Sequence, residues 1–148
     1  MKTVLAAGVF DLLHYGHIRY LEESKKAGGP GAKLIVIVAR DETVRKLKGH
    51  DPVIPEDQRR AVIESLKVVD EALLGYEEMD LVRVIEQLKP DIVVMGHDQQ
   101  SIKAQVEKVN KVLNADIEVH QLAQFGEAAL NSSSKIKRRI VEEARTQS

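Results

Sequence analysis

Three stretches of the chain are apolar without interruption and rich in β-branched residues: Val4-Leu5-Ala6-Ala7, Leu34-Ile35-Val36-Ile37-Val38 and Ile92-Val93-Val94-Met95. A strand with one wet face alternates polar and apolar positions, so unbroken runs of this length predict central parallel strands covered on both faces. Glu71-Ala72-Leu73-Leu74 and Ile117-Glu118-Val119 are weaker strand candidates. Helix-length segments lie between them. Ile18, Leu21 and Lys25 fall on one side of the first, which stops at Gly28-Gly29-Pro30-Gly31. Pro55-Glu56-Asp57-Gln58 starts another, with acids suited to the positive end of the helix dipole and a buried side expected from Ala61, Ile63, Leu66 and Val69. Leu81, Val84, Ile85 and Leu88 repeat at three- and four-residue spacing before Lys89-Pro90 closes the helix. Residues 101–113 follow the same pattern, and Ser132 onward reads as a C-terminal helix with a polar tail.

Strands alternating with helices over five strand candidates predict an α/β fold: a Rossmann-like, doubly wound, five-stranded parallel sheet with helices on both faces, in a single domain spanning 1–148. Neither internal repeats nor low-complexity segments interrupt it. Composition narrows the functions available. With no cysteine among 148 residues, a disulfide scaffold, a thiolate nucleophile and a cysteine-ligated zinc site are excluded. Lys and Arg number 22 against 23 Asp and Glu, a formal charge of −1, which argues against a general nucleic-acid binder, as does the small number of aromatics available for base stacking. No apolar run approaches the ~20 residues of a membrane span, and the short run after Met1-Lys2-Thr3 stops at Asp11, too soon for a signal peptide. A cytoplasmic protein is expected.

In sheets of this kind ligands bind beyond the carboxyl ends of the strands, so the segments after each strand carry the interest. Gly8-Val9-Phe10-Asp11-Leu12-Leu13-His14-Tyr15-Gly16-His17 leaves the first strand and enters the first helix. Gly8 lets the chain turn tightly. Gly16 permits close approach at the helix start, where free N–H groups and the dipole favour phosphate. Two histidines three apart on a first turn point to the same side and can donate to phosphate oxygens; the alternatives are a zinc pair, for which no third ligand stands at a convincing spacing, and two structural histidines. The run is neither a P-loop nor a dinucleotide fingerprint.

This run resembles the signature of the nucleotidyltransferase superfamily with an H-x-G-H motif, and Ser132-Ser133-Ser134-Lys135-Ile136 resembles that superfamily's second signature, a hydroxyl run followed by a basic residue and Ile. Within it, the chain is most similar to the archaeal FAD synthases. The similarity rests on Ile35 through Val44 with Lys46-Leu47-Lys48-Gly49, on Ile54-Pro55-Glu56-Asp57-Gln58-Arg59-Arg60, and on Lys89 through Gln99 with its Gly96-His97-Asp98-Gln99 turn. The resemblance implies transfer of AMP from ATP to the phosphate of FMN by direct in-line displacement, giving FAD and pyrophosphate. It implies Mg²⁺ held mainly by the phosphates rather than by a protein cage, small-molecule partners only, and a homodimer, for which an apolar face on helix 79–88 or 101–113 could serve. The competing readings are a cytidylyltransferase using CTP and glycerol 3-phosphate, whose R-T-E-G-I stretch is replaced here by Glu127-Ala128-Ala129-Leu130-Asn131, and a nucleotide-binding module without catalysis.

Site residues implied by the resemblance follow the motifs. His14 and His17 bind the triphosphate and stabilise the transition state, with Lys48 as a third catalytic group. Val9 and Phe10 line the ATP site through their backbone, with Tyr15 and Gly16 at the helix start. Ser132 and Ser133 cap the last helix, whose N-terminus holds the β- and γ-phosphates. Lys46 and Lys48, on a charge-rich segment ending at Gly49, either close over the phosphates or form a solvated helix face. Arg59 either contacts phosphate or pairs with Glu56 or Asp57. Asp98 bonds the adenosine or only shapes an Asx turn, and Phe125 packs on adenine or in the core. Asp11 is expected to be structural, and Lys137-Arg138-Arg139 to be a solvated face.

Overall fold

The unbroken apolar runs form the middle of a parallel sheet. The structure, a computed structural model, describes residues 1–76, 81–96, 100–122 and 133–146. Along the chain the elements are β1 (Thr3–Gly8), α1 (Tyr15–Ala27), β2 (Lys33–Val38), α2 (Asp41–Lys48), α3 (Glu56–Glu64), β3 (Glu71–Leu74), α4 (Leu81–Leu88), β4 (Ile92–Met95), α5 (Gln100–Leu113), β5 (Glu118–Gln121) and α6 (Ser133–Thr146). The five strands lie in the order β3-β2-β1-β4-β5, all parallel, with Leu5 opposite Ile35 on one side and Val93 on the other. The order reverses at β1, which places the switch point between β1 and β4.

The strand period of two divides each apolar run between two cores. Val4 and Ala6, Leu34, Val36 and Val38, and Ile92 and Val94 face Leu21 of α1 and Ile63 of α3. Leu5, Ile35 and Ile37, and Val93 and Met95 face Val84 and Ile85 of α4 and Ile102, Val106 and Val109 of α5. The doubly wound sheet expected from the sequence is therefore present, and continuous hydrophobicity is needed because both faces are dry. At the amino edge, carboxylates tie down the strand starts: Asp91 Oδ2 accepts Thr3 N–H at 2.8 Å and Asp70 Oδ2 accepts Leu34 N–H at 2.7 Å. The carboxyl edge is left to the loops.

Several local expectations need correction. The charge-rich segment before Gly49 is a helix, α2, with Lys46 and Lys48 on its solvated face as one of the two readings had it; beyond that reading, it buries Thr43 and Val44 and ends where Gly49 takes the left-handed conformation (φ 77°). Helix α3 ends at Glu64, so Leu66 and Val69 pack from the turn beyond it, and Ala61 faces solvent. The last strand begins at Glu118 and runs to Gln121, later than expected. The apolar faces of α4 and α5 considered for a dimer are core: Val84, Ile85, Ile102, Val106 and Val109 all pack beneath the sheet.

Gly8, the last residue of β1, connects this frame to the loop that follows. A Cβ there would lie 2.9 Å from the ring of Phe10, a side chain only 5 % exposed and packed in the core. Gly8→Ala should therefore destabilise the protein by about 1–3 kcal/mol through overpacking, read as a lower urea midpoint with an unchanged slope.

Candidate active site

The loop from Val9 to His14 leaves the central strand at the switch point, and its path is tightly constrained. Phe10 (φ 54°) and Leu12 (φ 52°) both adopt left-handed backbone, a region that residues with side chains seldom occupy. The Phe10 ring turns back into the core over Gly8, and its edge meets the His17 ring at 5.5 Å between centroids. Arg59 holds the loop from below. It is 1 % exposed, donating from Nη1 to Val9 O (2.8 Å) and Ala39 O (2.7 Å), from Nε to Ile54 O (2.8 Å) and from Nη2 to Asp41 Oδ1 (2.6 Å). Its ionic partner is thus Asp41, not Glu56 or Asp57. Glu56 instead accepts Asp41 N–H and pairs with Arg40. With four donors committed to the protein, Arg59 supports the site from beneath rather than from within it, and Val9 offers a carbonyl that is already bonded.

The two histidines form the N-terminus of α1. Gly16 N–H donates to His14 Nδ1 at 3.0 Å, and His14 N–H donates to His17 Nδ1 at 3.1 Å, so each imidazole satisfies a backbone donor that the helix would leave orphaned. A ring nitrogen that accepts carries no proton, so the neutral tautomer of each ring has its hydrogen on Nε2. The rings lie 3.8 Å apart between centroids, tilted by 31°. Burial pushes His17 down to about 4, with His14 and Lys48 acting in the same direction and Asp11 against it; burial also lowers His14. Near neutral pH the pair is therefore uncharged and presents two Nε2–H donors. That of His14 is buried, with no partner among the described residues, and a bound acceptor would satisfy it.

The surrounding charge favours an anion. Helices α2 and α3 begin with acids, Asp41-Glu42 and Glu56-Asp57, whereas the first turn of α1 has none of its own, and the Asp11 carboxylate acts on it from the preceding loop. Lys48 stands in the last turn of α2, exposed, and acts on His17 through space. Lys46 is exposed on the same helix and pairs with Glu42 at 3.5 Å. Tyr15 is 62 % exposed, and Gly16 is buried at the helix start. Ser133 opens α6; Asp98, Phe125 and Ser132 lie outside the described residues. Lys137, expected on a solvated face, has its Nζ 3.5 Å from Asp11 Oδ2 and so links the second motif's helix to the histidine loop. Local pattern could not reveal this pair, because its members stand at opposite ends of the chain. Among the described residues no cluster of three or more His, Asp or Glu could hold a metal ion.

A doubly wound parallel sheet with a histidine-capped helix at its switch point defines the class, a nucleotidyltransferase fold. The chain belongs to the cytidylyltransferase-like family, which matches residues 5–139. It is 43 % identical over 95 % of its length to the FAD synthase of Methanopyrus kandleri, of which it covers 93 %, and 42 % identical over 96 % of its length to that of Aciduliprofundum boonei, of which it covers 92 %. A crystal structure of a Thermoplasma volcanium protein, described as a lipopolysaccharide core biosynthesis protein, is 43 % identical and superposes with a TM-score of 0.76 over 85 % of this chain and 99 % of that one. The chain is a nucleotidyltransferase enzyme.

Two outcomes follow from the geometry. Arg59→Met leaves Asp41 and three carbonyls without their donors and should cost about 3–5 kcal/mol, measured by chemical denaturation. His17 binds a proton with a pKa near 6.5 when unfolded but about 4 when folded, so the unfolded state holds more protons between those values and stability falls as pH drops from 6.5 to about 4. His17→Gln keeps an acceptor at the third helical position and should flatten this part of the melting-temperature profile against the parent.

Proposed function

We propose that this chain is an FAD synthase, transferring AMP from ATP to the phosphate of FMN and releasing pyrophosphate. The carrying observation is the neutral histidine pair at the acid-free first turn of α1, in a chain whose near full-length relatives bear that name. An FMN oxygen attacks the α-phosphorus, the bond to the bridging oxygen breaks, and its electron pair leaves on pyrophosphate. The second ionisation of a phosphomonoester lies near ~6, so the nucleophile is already anionic and no general base is required. What accelerates the transfer is alignment of donors with the charge that develops on the α-phosphoryl group and the leaving oxygen.

In this reading the Nε2–H groups of His14 and His17 bond the phosphates, and their Nδ1 atoms, occupied by the helix backbone, hold both rings in the donating tautomer. Lys48 and Lys46 supply the positive charge from α2. Ser132 and Ser133 cap α6, whose N-terminus holds the β- and γ-phosphates. Val9, Phe10, Tyr15 and Gly16 line the nucleotide, Asp98 bonds the adenosine and Phe125 packs on the adenine. Mg²⁺ travels with ATP. The enzyme works in the cytoplasm; no described helix is long and apolar enough to cross a membrane. A homodimer belongs to the same reading: Val112 and Leu113, exposed at the end of α5, are apolar surface it would cover, and sedimentation decides it.

The test is a product assay with Mg²⁺ and ATP or CTP, each against FMN and glycerol 3-phosphate. FAD and pyrophosphate should form from ATP and FMN alone; a CDP-glycerol product would overturn the reading. His17→Gln, folded through its retained cap, should lower kcat by ~10²–10³, the effect of losing one preorganised donor, and a parental rate would remove His17 from the chemistry.

A further inference from the structure

Helix α6 is attached to the protein in an unusual way. Surface helices normally dock through a buried apolar stripe, yet from Ser134 to Thr146 no residue of α6 is buried, and Ile140 is 57 % exposed. Lys137 reaches the body of the protein, its Nζ 3.5 Å from Asp11 Oδ2. Asp11 is itself 4 % exposed, and its carboxylate accepts Val53 N–H at 2.8 Å and Ile54 N–H at 3.0 Å. Burial alone would raise its pKa, but the two amides and Lys137 more than offset that and keep it below its ordinary value, so it stays ionised near neutral pH. One buried carboxylate therefore sits where three segments meet: the histidine loop, the chain that follows Lys48, and α6.

We propose that Lys137 is a positioning residue: its ion pair with Asp11 is the latch that sets the N-terminal turn of α6 against the histidine pair. Lys137 lies four residues past Ser133, about one helical turn, so fixing its ammonium fixes the helix end on which the β- and γ-phosphates rest. The phosphate part of this inference relies on the reading of the site as an ATP site. The latch itself does not.

Backbone amide exchange of the ligand-free protein tests the latch, and ATP affinity measured calorimetrically without any acceptor tests its consequence. In Lys137→Met the amides of α6 should exchange about tenfold faster while those of β1 and β2 do not change, and the Kd for ATP should rise about tenfold, in line with loss of a bond between charged groups. Lys137→Arg should restore both. In an Asp11→Asn background Lys137→Met should weaken ATP no further, and if that background fails to fold, the Met and Arg variants decide. Unchanged exchange in α6, or a full additional loss of ATP affinity in the Asp11→Asn background, overturns the proposal; the second result would make Lys137 a direct phosphate ligand. Neither readout uses FMN, so a wrong acceptor assignment leaves both intact.

Discussion

The buried guanidinium of Arg59 is the contact on which the site's geometry rests. A charge with no exposed surface survives only if its donors are satisfied, and here they are satisfied by the carbonyls of Val9, Ala39 and Ile54 and the carboxylate of Asp41. Those partners belong to three segments: the loop after β1, the loop after β2 with the start of α2, and the approach to α3. The first two leave the sheet's carboxyl edge, tied to each other by Ala39 N–H donating to Gly8 O at 2.9 Å, and the third arrives from α2 with no strand to fix it. Arg59 does so with a planar fork of donors, a geometry that lysine cannot reproduce. The left-handed backbone at Phe10 and Leu12 is then maintained because the carbonyl just before it is pinned.

On that base the histidines use one ring nitrogen for structure and leave the other to donate. Their Nδ1 atoms close the end of α1, and this selects the tautomer whose Nε2–H faces away from the helix backbone. Burial holds both rings neutral, and for His17 the neighbouring His14 ring, 3.8 Å away between centroids, adds to it. The positive character of the site therefore comes from elsewhere: from the dipole of α1, whose first turn carries no acid, and from the lysines of α2.

Much of this was legible in the sequence. The central strands and the helices α1, α4 and α5 follow from periodicity, because both cores impose it directly. The histidines stood out through their spacing at a strand–helix junction. Helix α2 was legible only as one of two readings of its lysines, since just Thr43 and Val44 of its eight residues are buried and the segment reads as charged surface. The partners of Arg59 and Lys137 were hidden. A buried ion pair is a property of two distant positions brought together by the sheet, and Asp41 and Asp11 carry no local mark of the residues they meet.

The elements around the histidine pair are held unequally. The histidine loop is fixed by Arg59, by the core-packed Phe10 ring and by α1, which suits groups that must match the transition state to within a fraction of an ångström. Helix α2 is held by its buried Thr43 and Val44 and by the Asp41–Arg59 pair, with Lys46 and Lys48 left exposed, whereas α6 buries no residue from Ser134 to Thr146 and meets the body through the Lys137–Asp11 pair. An element with little buried apolar area moves at a small free-energy cost, so α6 can yield while the histidine loop and α2 stay fixed.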